Sequence, residues 1–331
     1  MLKRIPFTRT AKHLAVLGAA FSMLAGCASD DSIRNFSAKN NAAILATPRA
    51  LVSNPEVKAY MSKLASEVLG AAKARRTVDP QKDGWIYDKF DAAVVLSKDA
   101  NAFVTGDDVV FVHSGLLSNL ERPEQLMAIL THEFSHNELR HMKSNIEAMQ
   151  RQTGMALVAL AGAVAGVAGG GDLAQVGSGV AAGASGAMVV DGAFTRSFGR
   201  KEELAADKSG LELYARMGYD PAHFQRVFEI FREKYGDGSG SGTHPRNSER
   251  IKQVQEARAS LPAPTAAQKS LDVAEFQRIR AIVAQLERSA PEKTFVGNAK
   301  FKDKLMSCFD YCHAHEKSAQ KQTSSKNRKQ R

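Results

Sequence analysis

Cysteine is scarce in this chain, with three in 331 residues. A structural zinc site, which usually closes with four protein ligands and often uses Cys, is therefore poorly served. Long hydrophobic runs are also missing. The apolar run Leu14–Leu24 is too short to cross a bilayer. The Ala/Gly-rich stretch 153–190 carries one charge, Asp172, and Gly169-Gly170-Gly171-Asp172 cuts it into two pieces under ~20 residues. Spanning helices are not expected there. Gly162-x-x-x-Gly166 and Gly179-x-x-x-Gly183 permit close packing, so the stretch reads as a buried or membrane-grazing helical hairpin. No repeat with a period of 20–50 residues is apparent. A charge excess is missing from the body of the chain as well. The net +10 comes from four basic residues in the first 26 positions and six in the last 15, and the remainder balances at 35 basic against 35 acidic. The high pI therefore carries no argument for nucleic acid binding, and none is expected.

What is present is an ordinary globular composition, 44% apolar and 24% charged, long enough for one large or two modest domains with a real core. Residues 1–26 read as an export signal: a basic start, the apolar run, then Ala25, Gly26 and Cys27. Leu24-Ala25-Gly26-Cys27 resembles the bacterial lipobox, which implies lipidation of Cys27 and an anchored chain. Ala28 and Ser29 follow in place of an acidic pair, which by resemblance to Gram-negative lipoproteins favours the periplasmic face of the outer membrane. Residues 27–45 read as a tether. Residues 317–331, rich in Ser, Gln and Lys without apolar periodicity, read as a basic disordered tail.

In the mature chain, Asn54-Pro55 is a helix start, and Val57, Tyr60, Met61, Leu64, Val68 and Leu69 form a stripe at helical spacing. Ala92–Leu96 and Val109–His113 read as strands joined by a turn-rich segment. A second helix is expected from Pro123 to about Gln152, and two more over 200–217 and 221–235, split by Gly218-Tyr219-Asp220-Pro221. After Leu261-Pro262-Ala263-Pro264, a helix with Phe276, Ile279, Ile282, Val283 and Leu286 forms an appendage over 262–316. The principal domain is then 46–261.

The chemistry is concentrated in Thr131-His132-Glu133-Phe134-Ser135-His136. Residues i and i+4 share a helix face, so both imidazoles reach one metal ion, and Glu133 sits beside them as a general base for a water molecule. The third ligand separates the classes. A metzincin would have Gly at 139 and His at 142, where this chain has Leu139 and Met142. A downstream helix offering a carboxylate is the alternative, and Arg200-Lys201-Glu202-Glu203-Leu204-Ala205-Ala206-Asp207 supplies it. Glu203 closes a His₂Glu site, and Asp207, one turn on, accepts the second N–H of a ligating His. A helical His pair or a charged helix face is by itself usually just solvated; the two together make the site.

With Asn101-Ala102-Phe103, Arg140-His141, Thr243-His244-Pro245 and Arg250 in the same order, the chain resembles the HtpX-, BepA- and LoiP-like gluzincin metallopeptidases, relatives of the CAAX prenyl proteases and a mitochondrial stress protease. The likeness runs from about Asn101 to Arg250, and the lipobox makes the LoiP-like lipoproteins the nearest type. Gly199 stands where the family commonly has Ser. The resemblance implies an α+β zincin-like fold, mainly helical with a small sheet, and an active-site helix carrying the His-Glu-x-x-His motif. It implies one Zn²⁺ per chain and cleavage of internal peptide bonds in unfolded or misassembled envelope proteins. An edge strand near Val109–His113 is expected to pair with substrate backbone. The rival reading is a non-catalytic or dual-role chaperone or assembly factor that uses the groove to hold clients. His244, after the Gly/Ser run 236–242, is either a plug on the metal's fourth position or an oxyanion donor. His141, about 140° round the helix from His136, reads as a structural hydrogen-bonding residue. Cys308 and Cys312 favour a disulfide over free thiols or a second metal site.

Overall fold

The structure is a computed structural model that describes residues 34, 38, 41, 51–77, 79, 81, 84–104, 109–144, 199–238, 245–261 and 267–290. The chain divides into two compact units. One, Ser37–Met142 with Ser197–Leu305, holds nearly all of these residues. Of the other, Met1–Phe36, Lys143–Arg196 and Met306–Arg331, only Arg34, Lys143 and Ser144 are described. Cys27, the 153–190 stretch, His244, Cys308, Cys312 and the basic tail lie outside the described residues.

The described unit is mainly helical around a small mixed sheet. Helix α1 (Pro55–Arg75) begins where Asn54 Oδ1 accepts from the backbone N–H groups of Glu56 and Val57, at 3.0 and 3.1 Å, with Pro55 in the first turn. Its buried face, Val57, Tyr60, Met61, Leu64 and Val68, is the stripe read from the sequence, and it packs with Ala92 and Val94 of strand β1 (Asp91–Val95). Strands β2 (Ala102–Val104) and β3 (Val109–His113) complete the sheet in the order β1-β3-β2, with β1 parallel and β2 antiparallel to β3. Val109–His113 is therefore the central strand, not the expected edge. Its backbone is paired on both sides and cannot take another strand. The outer side of β1 is met by Leu51, bridged to Val95, with Val52 N–H donating to Val94 O at 2.9 Å. The segment read as turns contains β2, held in register by Phe103 opposite Phe111.

After the short helix α2 (Ser114–Asn119) comes α3 (Pro123–Glu138). Pro123 opens it, and Gln125 Oε1 accepts from the backbone N–H of Glu121 and Arg122 at 2.7 and 3.2 Å. Nearly every residue of α3 is buried, so it is the central helix of the unit. It was expected to run unbroken to about Gln152 but ends at Glu138, because Arg140 adopts a left-handed φ of 56° that interrupts an α-helix; helical backbone resumes over 141–144, and residues 145–152 lie outside the described residues. Helices α4 (Arg200–Arg216) and α5 (Pro221–Tyr235) follow the expected bounds closely, α5 capped by Asp220 on Ala222 N–H. Helix α6 (Asn247–Ala259) was not foreseen; helix α7 (Val273–Ser289) was. No helix of the described residues is long and apolar enough to cross a membrane.

A buried polar tie joins three of these helices. Arg75 at the end of α1 pairs with Glu138 at the end of α3, Tyr87 Oη donates to Glu138 Oε1 at 2.9 Å, and Arg75 Nη1 donates to Ser209 O in α4 at 2.8 Å. Losing one partner of such a pair strands the other charge, at a cost of about 3–5 kcal/mol.

Helix α7 packs into this same unit. Phe276, Ile279 and Val283 are in the main core, Phe276 lies 6.5 Å from the Tyr60 ring, and the preceding strand-like residues are tied by Lys269 N–H to Gly218 O at 2.8 Å and Leu271 N–H to Glu124 Oε1 at 2.9 Å. Phe276→Ala should therefore cost about 3–5 kcal/mol of unfolding free energy in urea. A loss below about 1 kcal/mol, the range of surface substitutions, would show α7 to be a detachable appendage.

Candidate metal centre

Helices α3 and α4 pack backbone to backbone where Gly210 faces His132. A Cβ built on Gly210 would lie 3.0 Å from His132 Cα and N and 3.1 Å from Thr131 O. The same face of α4 carries Glu203, Asp207 and Gly210, at i, i+4 and i+7. The glycine is thus what brings both carboxylates within reach of the imidazoles on α3.

The result is a convergent donor set. His132 Nε2 and His136 Nε2 are 3.0 Å apart, and the Glu203 carboxylate lies 3.8 Å from the first and 3.7 Å from the second. One ligand atom from each of the three lies within 4.8 Å of the others, close enough to share a metal ion. Asp207 Oδ1 lies 2.9 Å from His132 Nδ1, on the far side of the ring. Glu133 is 7% exposed, one residue on from His132.

Arg250, from α6, completes the surround. Its Nε and Nη2 donate to the two oxygens of Asp207 at 2.7 and 2.5 Å, Nη2 lies 3.6 Å from Glu203, and the guanidinium sits 4.1 Å over the Phe228 ring. Burial opposes the charge of Asp207, but Arg250 and His132 outweigh it and hold the carboxyl below its usual range. Burial likewise works against the imidazolium of His132, yet Asp207 more than offsets it and raises the ring.

A divalent cation fits these residues on two grounds. Both Nε2 atoms point at one another, and with the outer nitrogen of His132 committed to Asp207 its inward nitrogen is a lone pair seeking a cation. In addition, Glu133, Glu203 and Asp207 bring three formal negative charges to a buried site that holds one guanidinium, leaving two for a dication to balance.

A model of peptidase family M48 matches residues 58–258, more than half of the chain. The chain belongs to peptidase family M48. Among curated relatives, it is 24% identical over 224 residues to a putative beta-barrel assembly-enhancing protease of Vibrio cholerae, covering 66% of this chain and 43% of that protein. It is 25% identical over 203 residues to the beta-barrel assembly-enhancing protease of Escherichia coli, covering 59% and 36%. It is 28% identical over 166 residues to the metalloprotease LoiP of the same organism, covering 49% and 60%. The chain thus spans less than half the length of the first two. The M48 match includes both helices of the donor set and Arg250.

Arg250 was named in the sequence without a role. Its partner is 43 residues away, and only the docking of α6 makes the pairing visible. In an exposed helix Gly→Ala gains about 1 kcal/mol. Gly210→Ala should instead destabilise the protein by about 1–3 kcal/mol and weaken divalent-metal binding, as α4 is pushed off α3. Urea unfolding and chelator competition check this. A stabilised protein with unchanged affinity would show that the helices cross elsewhere.

Proposed function

We propose that the chain is a zinc-dependent endopeptidase of the cell envelope that hydrolyses internal peptide bonds in unfolded or misassembled envelope proteins. The observation that carries this is the convergence of His132, His136 and Glu203 with Glu133 alongside. These three residues would hold one zinc ion, which supplies Lewis acidity toward the scissile carbonyl and lowers the pKa of water to about 7. Glu133 takes the proton from the attacking water and returns it to the leaving amine. Asp207 fixes the His132 tautomer, and Arg250 keeps Asp207 ionised. Extended substrate backbone adds to β2, the edge left among the described residues once β3 is central and β1 is met by Leu51; a three-residue edge gives loose side-chain selectivity. Envelope clients are supported by the names of the assembly-enhancing relatives.

His244 is proposed as a plug on the fourth metal position, the alternative being an oxyanion donor. Although it lies outside the described residues, the described residues on either side of it are tied down. Asn247 N–H donates to Asp237 O at 2.9 Å, Ser248 Oγ donates to Asp237 Oδ2 at 2.6 Å, Pro245 is buried, and Arg250 is on Asp207.

Casein cleavage and zinc content test the whole reading. Glu133→Gln should lower turnover by about 10²–10⁴-fold with zinc retained, whereas Glu203→Ala should lose both. Normal turnover by Glu133→Gln sinks the mechanism, and a zinc-loaded wild type that holds casein without cutting it favours the assembly-factor reading. His244→Ala should raise basal cleavage as a plug, or lower it by about 10²–10³-fold as an oxyanion donor; unchanged cleavage removes both roles.

Anchoring at Cys27 is the remaining element. Cys27→Ser should abolish labelling by radioactive palmitate and release the chain from membranes on fractionation. A labelled, membrane-bound Cys27→Ser protein contradicts the lipid anchor.

A further inference from the structure

His141 has no part in the mechanism above, yet it touches the site. Its Nδ1 lies 2.8 Å from Nδ1 of His136, the rings meet edge-on at 71° with centroids 4.9 Å apart, and it is 6% exposed. Where no cation lies between them, two imidazole nitrogens at that distance share one proton, since one must donate and the other accept. His136 turns Nε2 toward His132 Nε2 and Glu203, so a ligating His136 carries its proton on Nδ1. His141 Nδ1 is then the acceptor, and its own proton sits on Nε2. Asp207 stands in the same relation to His132 Nδ1.

The sequence spacing alone forbids this contact. In an unbroken helix, the fifth residue after His136 sits about 140° round the axis and about 1.4 turns along it, facing away. The chain reaches the contact by leaving the helix. Leu139 N–H donates to Ser135 O at 2.9 Å and Arg140 N–H to Asn137 O at 3.0 Å, closing a tight turn, and Arg140 takes φ 56°. Side chains other than glycine rarely adopt that region, and β-branched ones least of all. Arg140 is held there with its guanidinium 5.9 Å from the Trp85 ring. Local strain that survives in a folded protein is kept by what surrounds it, and it gathers at functional sites.

We infer that His141 is the positioning residue of His136, fixing its tautomer and ring angle, and that the left-handed turn at Arg140 delivers it. This rests on the reading of His136 as a metal ligand. Partners of this kind typically contribute 10–100-fold to metal affinity.

The test uses the full chain carrying Glu133→Gln, so that zinc affinity is read without self-cleavage, by competition with a chromogenic chelator. The visible spectrum of the Co²⁺-loaded protein is read alongside. His141→Leu should weaken zinc binding by about 10–100-fold and change the Co²⁺ bands, while His141→Asn, whose amide oxygen accepts the His136 Nδ1–H, should recover most of the loss. Arg140→Val should act like His141→Leu, because valine resists the left-handed turn, whereas Arg140→Gly should stay within about two-fold of the parent. Parental affinity and spectrum in His141→Leu overturn the inference. Should His141→Leu fail to fold, equal affinities of Arg140→Val and Arg140→Gly overturn it instead. His136→Ala separates the two levels: zinc retained there at full stoichiometry removes the ligand reading itself, while zinc lost there but kept by His141→Leu removes only the role of His141.

Discussion

The carboxylate of Asp207 is fully buried, and it touches one residue from each of two other helices. It lies against His132 of α3 on one side and takes two hydrogen bonds from Arg250 of α6 on the other. An isolated carboxylate in that position would be far too costly to keep ionised, so α4, α3 and α6 are bound to one another by a charge that none can hold alone. Everything else at the site follows from where that carboxylate stands. Glu203 is one turn earlier on the same face, and Gly210, one turn later, sets how near that face approaches His132. Moving α4 by the width of one methyl group would misplace a proposed ligand and the partner of another together.

How far this was legible in the sequence depended on whether the signal was local. Helix α1 announced itself through Asn54-Pro55, and α5 through Asp220-Pro221, because caps are written within four residues. The donor set was legible for the same reason: His132 and His136 are one helical turn apart, as are Glu203 and Asp207, and spacing of that kind survives any tertiary arrangement. Helix α6 was not, since it buries only Arg250, Ile251 and Val254 and shows no apolar stripe. Nor was the end of α3. Leu139-Arg140-His141 contains no Gly, Pro or Asn to mark a break, and the left-handed residue is an arginine set by its surroundings. The role of β3 was misjudged because a run of five apolar or aromatic-adjacent residues reads as a strand without saying on which side it is paired. Burial of all five fits the central position that the pairing reveals.

The two histidines on α3 are supported unequally, and the difference has a chemical consequence. His132 faces a carboxylate that is held ionised; His136 faces another imidazole, which burial pushes down to about 4 and so keeps neutral. A carboxylate behind a ligating imidazole raises its basicity more than a neutral acceptor does. Glu133, Glu203 and Asp207 against Arg250 already match the charge of one dication. A second carboxylate in place of His141 would push the site one unit negative and blunt the electrophilicity that hydrolysis needs. A neutral acceptor orients His136 without that cost. On this reasoning the break in α3 is part of the charge design of the site: by ending the helix two residues after His136 the chain turns a neutral ring, rather than an acid, onto the second imidazole.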